Sequence, residues 1–202
     1  MTKIPQFAIC ETKDNSLSLS MKSHNGMRPH DIAVLLKILS MEEGWLSKDL
    51  SASLFISGSE ISESLNRSMI AKLLSPNKRT VYQNSLFDFI VNGLKYVFPV
   101  EPGGMTRGVA TAHSAPVLKD FFVFDDNYVW PCPQGNTKGF AIQPLYPNQP
   151  LAALADATLY DKLALLDAIR FGRTRERNKA VELLHNTLKS ENAREYYQDQ
   201  SR

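Results

Sequence analysis

Between residues 48 and 79, this 202-residue chain carries many hydrogen-bonding and cationic side chains. Hydroxyls, a carboxylate and an amide recur every three to four residues from 59 to 66, which is the spacing of one helix face. Such groups hydrogen-bond to base edges and phosphate oxygens, and lysine or arginine neutralises phosphate. The candidate DNA-contacting residues are Ser57, Ser59, Ser62, Glu63, Asn66, Arg67, Lys48, Lys78 and Arg79.

A second basic cluster near the C-terminus consists of Arg170, Arg173, Arg175 and Arg177. These arginines could hold phosphates beside the main site, each contact adding salt dependence. They could equally form a solvated helix face. Asp167 lies three residues before Arg170, so an ion pair within one helix is also available. The sequence leaves both interpretations open.

No catalytic constellation emerges from the remaining polar residues. A histidine, a serine and two aspartates (His113, Ser114, Asp125 and Asp126) lack the nucleophile elbow and oxyanion loop of a hydrolase. No glycine group is framed by the strand and helix of a phosphate-binding loop. The two cysteines are far apart, and no Cys/His group has metal-ligand spacing. We therefore expect no enzymatic activity, no cofactor and no metal.

Three predicted helices carry most of the candidate DNA-contacting residues or position them. Apolar spacing predicts a helix from Pro29 to Met41 and a short one from Ser47 to Leu54, with Ser47 as its N-cap. A tight turn follows, and Ser57 with Glu60 forms a capping box at the start of a third helix. Helix, short helix, turn and capped helix within residues 29–74 make a helix-turn-helix.

The amino-acid sequence of this region resembles the helix-turn-helix of MarR-type and related winged-helix repressors. The resemblance lies in Leu-Ser-Lys-Asp-Leu-Ser at 46–51 and Ile-Ser-Gly-Ser-Glu-Ile-Ser-Glu-Ser-Leu at 56–65. It implies a third helix that reads the major groove. By their side-chain chemistry, Asn66 could pair with adenine and Glu63 could accept from cytosine N4. Lys78 and Arg79 would then belong to the wing, although residues 76–82 are short for a complete hairpin.

One residue departs from that pattern. Glu63 stands where many relatives carry arginine, and a carboxylate repels phosphate. The basic contribution would then come from Lys48, Lys72, Lys78 and Arg79.

The composition and the predicted secondary structure of the rest of the chain change twice. A fourth helix is predicted over 85–97, followed by a Pro/Gly-rich stretch to residue 148. Its short apolar runs at 121–124, 128–130 and 140–142 predict short strands joined by turns, or irregular structure packed on helices. Two antiparallel helices are predicted from Leu159 to Phe171 and from Thr174 onward, separated by Gly172. The expected fold is mainly α with a small β component (α+β).

We expect three segments: a flexible arm at 1–26, a helix-turn-helix domain at 27–97 and an α+β domain at 98–202. No apolar run reaches the 18 residues of a membrane span, so the expected location is the cytoplasm. The predicted function is sequence-specific binding of double-stranded DNA in transcription regulation, as a repressor and a homodimer. The alternative is a protein-interaction module, antitoxin-like or defence-associated, that uses the same fold for docking. An effector is left open.

Overall fold

The computed structural model describes residues 26–199, with side chains described to residue 189. The predicted short alternating segment at 16–20 lies outside that range. The elements are α1 (Pro29–Leu39), α2 (Ser47–Leu54), α3 (Gly58–Ile70), α4 (Gln83–Asn92), α5 (Leu94–Val97), β1 (Met105–Ala110), α6 (Pro116–Lys119), β2 (Tyr128–Pro131), β3 (Thr137–Ala141), α7 (Gln149–Ala155), α8 (Ala157–Phe171) and α9 (Thr174–Asp199). The fold is mainly α with a small β component, as predicted.

Helices α1, α2 and α3 pack on one another around leucines and isoleucines of all three, including Leu35, Leu50 and Ile61, which are fully buried. The turn between α2 and α3 passes through Phe55, whose φ of 54° is left-handed. Ser57 is the N-cap of α3 and accepts a hydrogen bond from the Glu60 backbone N–H at 3.3 Å. The predicted N-cap of α2 was wrong by one residue: Leu46 occupies it, and Asp49 accepts the Leu46 N–H.

After α3 the chain forms a tight hairpin over residues 73–82. Leu74 and Val81 pair antiparallel, and the Tyr82 N–H donates to the Leu73 carbonyl at 2.9 Å. The turn is closed by Lys78, whose N–H donates to the Ser75 carbonyl at 2.8 Å and whose φ is 58°. This 73–82 hairpin follows α3 where a wing would, so a hairpin forms within a segment that looked too short for one.

The predicted fourth helix is interrupted. Helix α4 ends at Asn92, and Gly93 separates it from the single turn of α5. Leu86, Ile90 and Leu94 are fully buried, and both helices pack against α8. They therefore link the helix-turn-helix to the C-terminal half of the molecule.

The three strands form a closed sheet in which each pairs with both others. Strand β1 runs antiparallel to β2 and β3, which are parallel to each other. Closure at so few strands needs glycine where backbones touch. A Cβ on Gly135 would lie 1.9 Å from the Gly108 carbonyl carbon, and one on Gly108 would lie 2.0 Å from the Trp130 carbonyl oxygen.

Of the two structures predicted for 121–124, the irregular one is correct and the strand does not form. These residues lie in the loop between α6 and β2, with Val123 almost completely exposed. Burial does alternate along the segment, since Phe122 and Phe124 are half-buried. A closed sheet has no free edge, however, so it offers no partner for a fourth strand.

Helices α8 and α9 pack against each other and are joined by a turn at Gly172 and Arg173, as predicted. Helix α7, which precedes them, was not predicted. Several hydrogen bonds join this half to the helix-turn-helix, including one from the buried Lys162 of α8 to the Leu36 carbonyl at 3.4 Å. Lys37 of α1 donates to Asp156 at 2.7 Å, and the Asn148 side chain donates to the Phe55 carbonyl at 2.8 Å. None of the helices within 26–199 combines the length and apolarity that a bilayer crossing requires.

Candidate nucleic-acid interface

One face of α3 is turned away from the core. Successive helical residues rotate by about 100°, so residues 59, 62, 63, 66 and 70 fall within an arc of about 100°. All are exposed except Asn66, which is half-buried. Ile61, Ser64, Leu65 and Ser68 occupy the opposite, buried side. The predicted Ser59, Ser62, Glu63 and Asn66 therefore share one accessible surface, here called the α3 face.

The N-terminus of α3 lies beside this face. Ser57 and Ser59 are exposed, and their Oγ atoms are 3.1 Å apart. The first backbone N–H groups of a helix lack partners within it and carry partial positive charge, which favours an anion. The two hydroxyls and these N–H groups together suit a phosphate oxygen.

The 73–82 hairpin reaches the α3 face from the side. Lys78 Nζ donates to Asn66 Oδ1, which joins the hairpin turn to the middle of the helix. This bond uses one of the two lone pairs of the Asn66 amide oxygen. The other lone pair and the amide N–H₂ group remain as hydrogen-bonding groups for a base such as adenine.

Two lysines of this surface have left-handed backbones, with φ of 60° at Lys72 and 58° at Lys78. A side chain in this region costs roughly 1–2 kcal/mol, which glycine avoids. Both positions nevertheless carry a long cation, exposed at Lys72 and half-buried at Lys78.

Arg79 is exposed, but contacts with Trp45 fix its position. Its guanidinium carbon lies 4.8 Å above the Trp45 ring, and Nη1 donates to the Trp45 carbonyl. Trp45 immediately precedes the N-cap of α2, so this contact fixes the hairpin against the start of α2. Lys48, which is exposed on the first turn of α2, is therefore positioned relative to the hairpin.

Arg67 corrects the sequence prediction. It was expected at the edge of the α3 face, but it is only 5% exposed and its guanidinium points toward α1. Nε and Nη2 donate to the two oxygens of Asp31 at 2.9 and 2.8 Å, and Nη2 also donates to Glu60 at 2.7 Å. Asp31 is fully buried and also accepts the Arg28 backbone N–H. Arg67 therefore fixes α3 to α1 and is not available to DNA.

The predicted capping box is also half wrong, because Glu60 does not reach back to Ser57. Its carboxylate contacts Arg28, His30 and Arg67 instead. Burial alone would raise the pKa of Glu60, but the hydrogen bonds and charges of Arg67 and His30 outweigh it and lower that pKa. The acid in the first turn of α3 is thus neutralised by its own neighbours, which reduces its repulsion of an approaching phosphate.

The second basic cluster does not form one surface. Arg170 is buried, donating to Asp167 at 2.7 Å and to the Phe98 carbonyl at 3.0 Å. Arg177 donates to the Val91 carbonyl at 2.6 Å. Only Arg173 and Arg175 are exposed. The phosphate-holding surface, one of the two interpretations left open, is therefore reduced to Arg173 and Arg175, while the available ion pair of Arg170 with Asp167 does form.

His113 is a core residue. It is 5% exposed, stacks on Phe124 with ring centroids 3.6 Å apart, and its Nε2 donates to the Asp126 carbonyl at 3.0 Å. Its Nδ1 faces Glu176 at 3.6 Å. Within residues 26–199, no group of His, Cys, Asp or Glu has a metal-binding arrangement.

Sequence reasoning missed one residue of the α3 face. Ile70 was not considered as a contact because isoleucine in a helix usually marks the core. Its spacing from Asn66 and Glu63, four and seven residues, was the available signal.

The chain matches no protein-family model, and no curated protein and no solved structure is significantly similar to it.

Proposed function

We propose that the protein is a sequence-specific DNA-binding regulator of transcription that reads double-stranded DNA with α3. The observation that carries the proposal is the junction of the α3 face and the 73–82 hairpin at the Lys78–Asn66 contact. It joins a row of base-reading side chains to a cationic turn in one accessible surface. DNA readers need both parts, since phosphate contacts give position and base contacts give sequence.

Charge is divided between the elements of this surface. Among the exposed α3 face positions the only ionisable side chain is Glu63, while Lys78 contacts the face through Asn66 and the other predicted cations, Lys48, Lys72 and Arg79, lie on the adjoining elements. A carboxylate inside the groove can accept from cytosine N4, and cations at the rim can meet phosphates. This division supports sequence reading, because a surface for unspecific binding gains nothing from a central carboxylate.

A single helix reads few base pairs, so such proteins commonly act as two-fold dimers on palindromic sites. We propose a homodimer acting as a repressor in the cytoplasm. MarR-type regulators, which the helix-turn-helix segment resembles, combine these properties.

Docking of a protein is the second candidate function. It is favoured by Glu63 and the exposed Ile70 on a face whose own arginine, Arg67, is buried. A protein partner would bind without DNA and with little dependence on salt.

The test starts from a random duplex library, from which the protein enriches its preferred sequence. Affinity for that duplex and for a scrambled version is then measured by fluorescence anisotropy over a salt series. We expect clear preference for the enriched duplex and a steep loss with salt. Ser62→Ala and Glu63→Gln should erode the preference, while Lys48→Ala should weaken both duplexes alike. No enrichment and no binding at low salt would refute DNA reading and direct attention to protein capture.

Lys78→Gly separates function from stability. Glycine relieves the left-handed backbone, so the free energy of unfolding should rise or stay constant, by up to about 1 kcal/mol. DNA affinity should nevertheless fall, because a phosphate contact is lost. Lys78→Arg is the matched control that keeps the charge. Unchanged affinity of Lys78→Gly would remove the hairpin from the interface.

A further inference from the structure

Ile70 is an unusual member of the α3 face. Its side chain is 52% exposed, although it ends a helix whose other isoleucine, Ile61, is fully buried. Counting about 100° per residue from Ser59, Ile70 lies roughly 20° away, near the centre of the face. Ser62, Glu63 and Asn66 lie on the same arc. A large apolar group thus stands in line with the hydrogen-bonding groups rather than at the border with the core.

The partner that this combination suits is a base edge in the major groove. Thymine presents a C5 methyl there beside its O4 acceptor, and apolar side chains recognise that methyl. Lys78, which contacts the face at Asn66, and the cations of the adjoining elements, Lys48, Lys72 and Arg79, favour a polyanion as occupant.

We propose that Ile70 is a specificity-determining residue that contacts the C5 methyl of a thymine in the preferred DNA site. The proposal rests on the proposed function, because it assigns one base contact within the same surface. It gives the C-terminal end of α3 a role in sequence reading that hydrogen-bonding residues alone do not supply.

The contact can be tested from the DNA side, with the protein unchanged. Each thymine of the enriched duplex is replaced in turn by uracil, which lacks only the methyl. Burying one methyl-sized group contributes about 0.8 kcal/mol, about a fourfold change in affinity. We expect one uracil substitution per half-site to weaken binding by about that factor.

The same series with Ile70→Ala completes a double-mutant cycle. This variant should bind the thymine duplex about fourfold more weakly and show no further loss with uracil at the critical position. Ile70→Val, which keeps an apolar contact, should retain most of the methyl effect. Leu154→Ala is the control, because Leu154 is also 52% exposed but lies on α7. It should leave affinity and methyl dependence unchanged.

The possible failures are distinguishable. If the protein selects no DNA, the proposed function and this contact both fall. If it selects DNA but no uracil weakens binding, or the uracil effect persists in Ile70→Ala, only this contact is refuted. A changed oligomeric state of Ile70→Ala with unaltered methyl dependence would also refute it, and would assign Ile70 to contact between copies. Thermal melting of each variant checks that folding is intact.

Discussion

Each half of the molecule buries one arginine beside an aspartate, and the two pairs are built differently. Arg67 and Asp31 join two helices across 36 positions, and the pair continues outward to the partly exposed Glu60 and His30. Arg170 and Asp167 are three residues apart on α8. The second pair is sealed inside the core, where Asp167 also accepts from Thr111 at 2.9 Å and from Trp130 Nε1 at 2.6 Å.

The two pairs also differ in what determines the pKa of their buried groups. Hydrogen bonding to Asp31 outweighs burial and raises the pKa of Arg67, so its charged form is favoured. Burial dominates at Asp167 and raises its pKa despite three hydrogen bonds and the charge of Arg170. The Arg67–Asp31 pair is a favourable ion pair that holds two helices together. Asp167 is a desolvated carboxylate that accepts hydrogen bonds from the sheet and from the turn before α6.

Asp167→Ala should have the largest effect on stability. It leaves the Arg170 guanidinium, the Trp130 N–H and the Thr111 hydroxyl without their shared acceptor, at a cost of about 5 kcal/mol. Chemical denaturation followed by tryptophan fluorescence measures the loss. A loss below about 1 kcal/mol would contradict the sealed network.

Arg67→Met should destabilise the fold by about 3 kcal/mol, because it leaves the buried Asp31 carboxylate without its arginine partner. The cost is smaller than at Asp167 because Glu60 can turn to solvent. Replacing both partners, as in Arg67→Met with Asp31→Leu, should recover much of it. Unfolding in urea measures both, with Lys48→Ala as the surface control. Were Arg67→Met instead to affect only DNA affinity, the arginine would belong to the interface after all.

Two glycines extend the comparison to the backbone. Gly135→Ala should destabilise by about 1–3 kcal/mol, because its Cβ would overlap the Gly108 backbone in the closed sheet. Gly58→Ala, on the first turn of α3, meets open space and should stabilise by about 0.5 kcal/mol. Thermal melting compares the two, and equal effects would contradict the tight packing of the strands.

The smallest expected effect is on the pH dependence of stability, through Glu60. Because the pKa of Glu60 is lowered in the fold, its ionised form adds stability above its ordinary value of 4.5, and this is lost as the pH falls. Glu60→Gln should therefore flatten the decline in stability below about pH 5. The raised pKa of Asp167 has the opposite sign and favours the fold at low pH. Glu63→Gln is the control, since Glu63 is exposed. Identical pH profiles for both variants would contradict the role given to Glu60.

The sequence predicted local features well and distant partners poorly. The Ser57 cap, the helix-turn-helix order and the break at Gly172 depend on neighbouring residues, and all three were correct. Arg67 was placed on the surface, because charge alone does not show whether a buried carboxylate lies opposite it. The ion pair of Arg170 with Asp167, three residues apart, was available from the sequence, but its burial was not. The partner of Arg67 lies 36 residues away on α1.

The interface follows the same rule. The α3 face residues could be predicted from helical spacing, apart from Ile70, whose apolar character pointed to the core. The contacts of Lys78 with Asn66 and of Arg79 with Trp45 depend on how the 73–82 hairpin packs against α3 and α2. A closed three-stranded sheet was equally out of reach, since its pairings join strands across a long loop.

The central claim is that DNA meets the helix-turn-helix half and not the exposed arginines of the other half. The most direct test is the slope of log affinity against log salt concentration for Lys78→Ala combined with Arg79→Ala, compared with Arg173→Ala combined with Arg175→Ala. The account predicts that the hairpin variant lowers the slope by about two, one per lost phosphate contact, and that the arginine variant leaves it unchanged. An unchanged slope for the hairpin variant, with a reduced slope for the arginine variant, would contradict it.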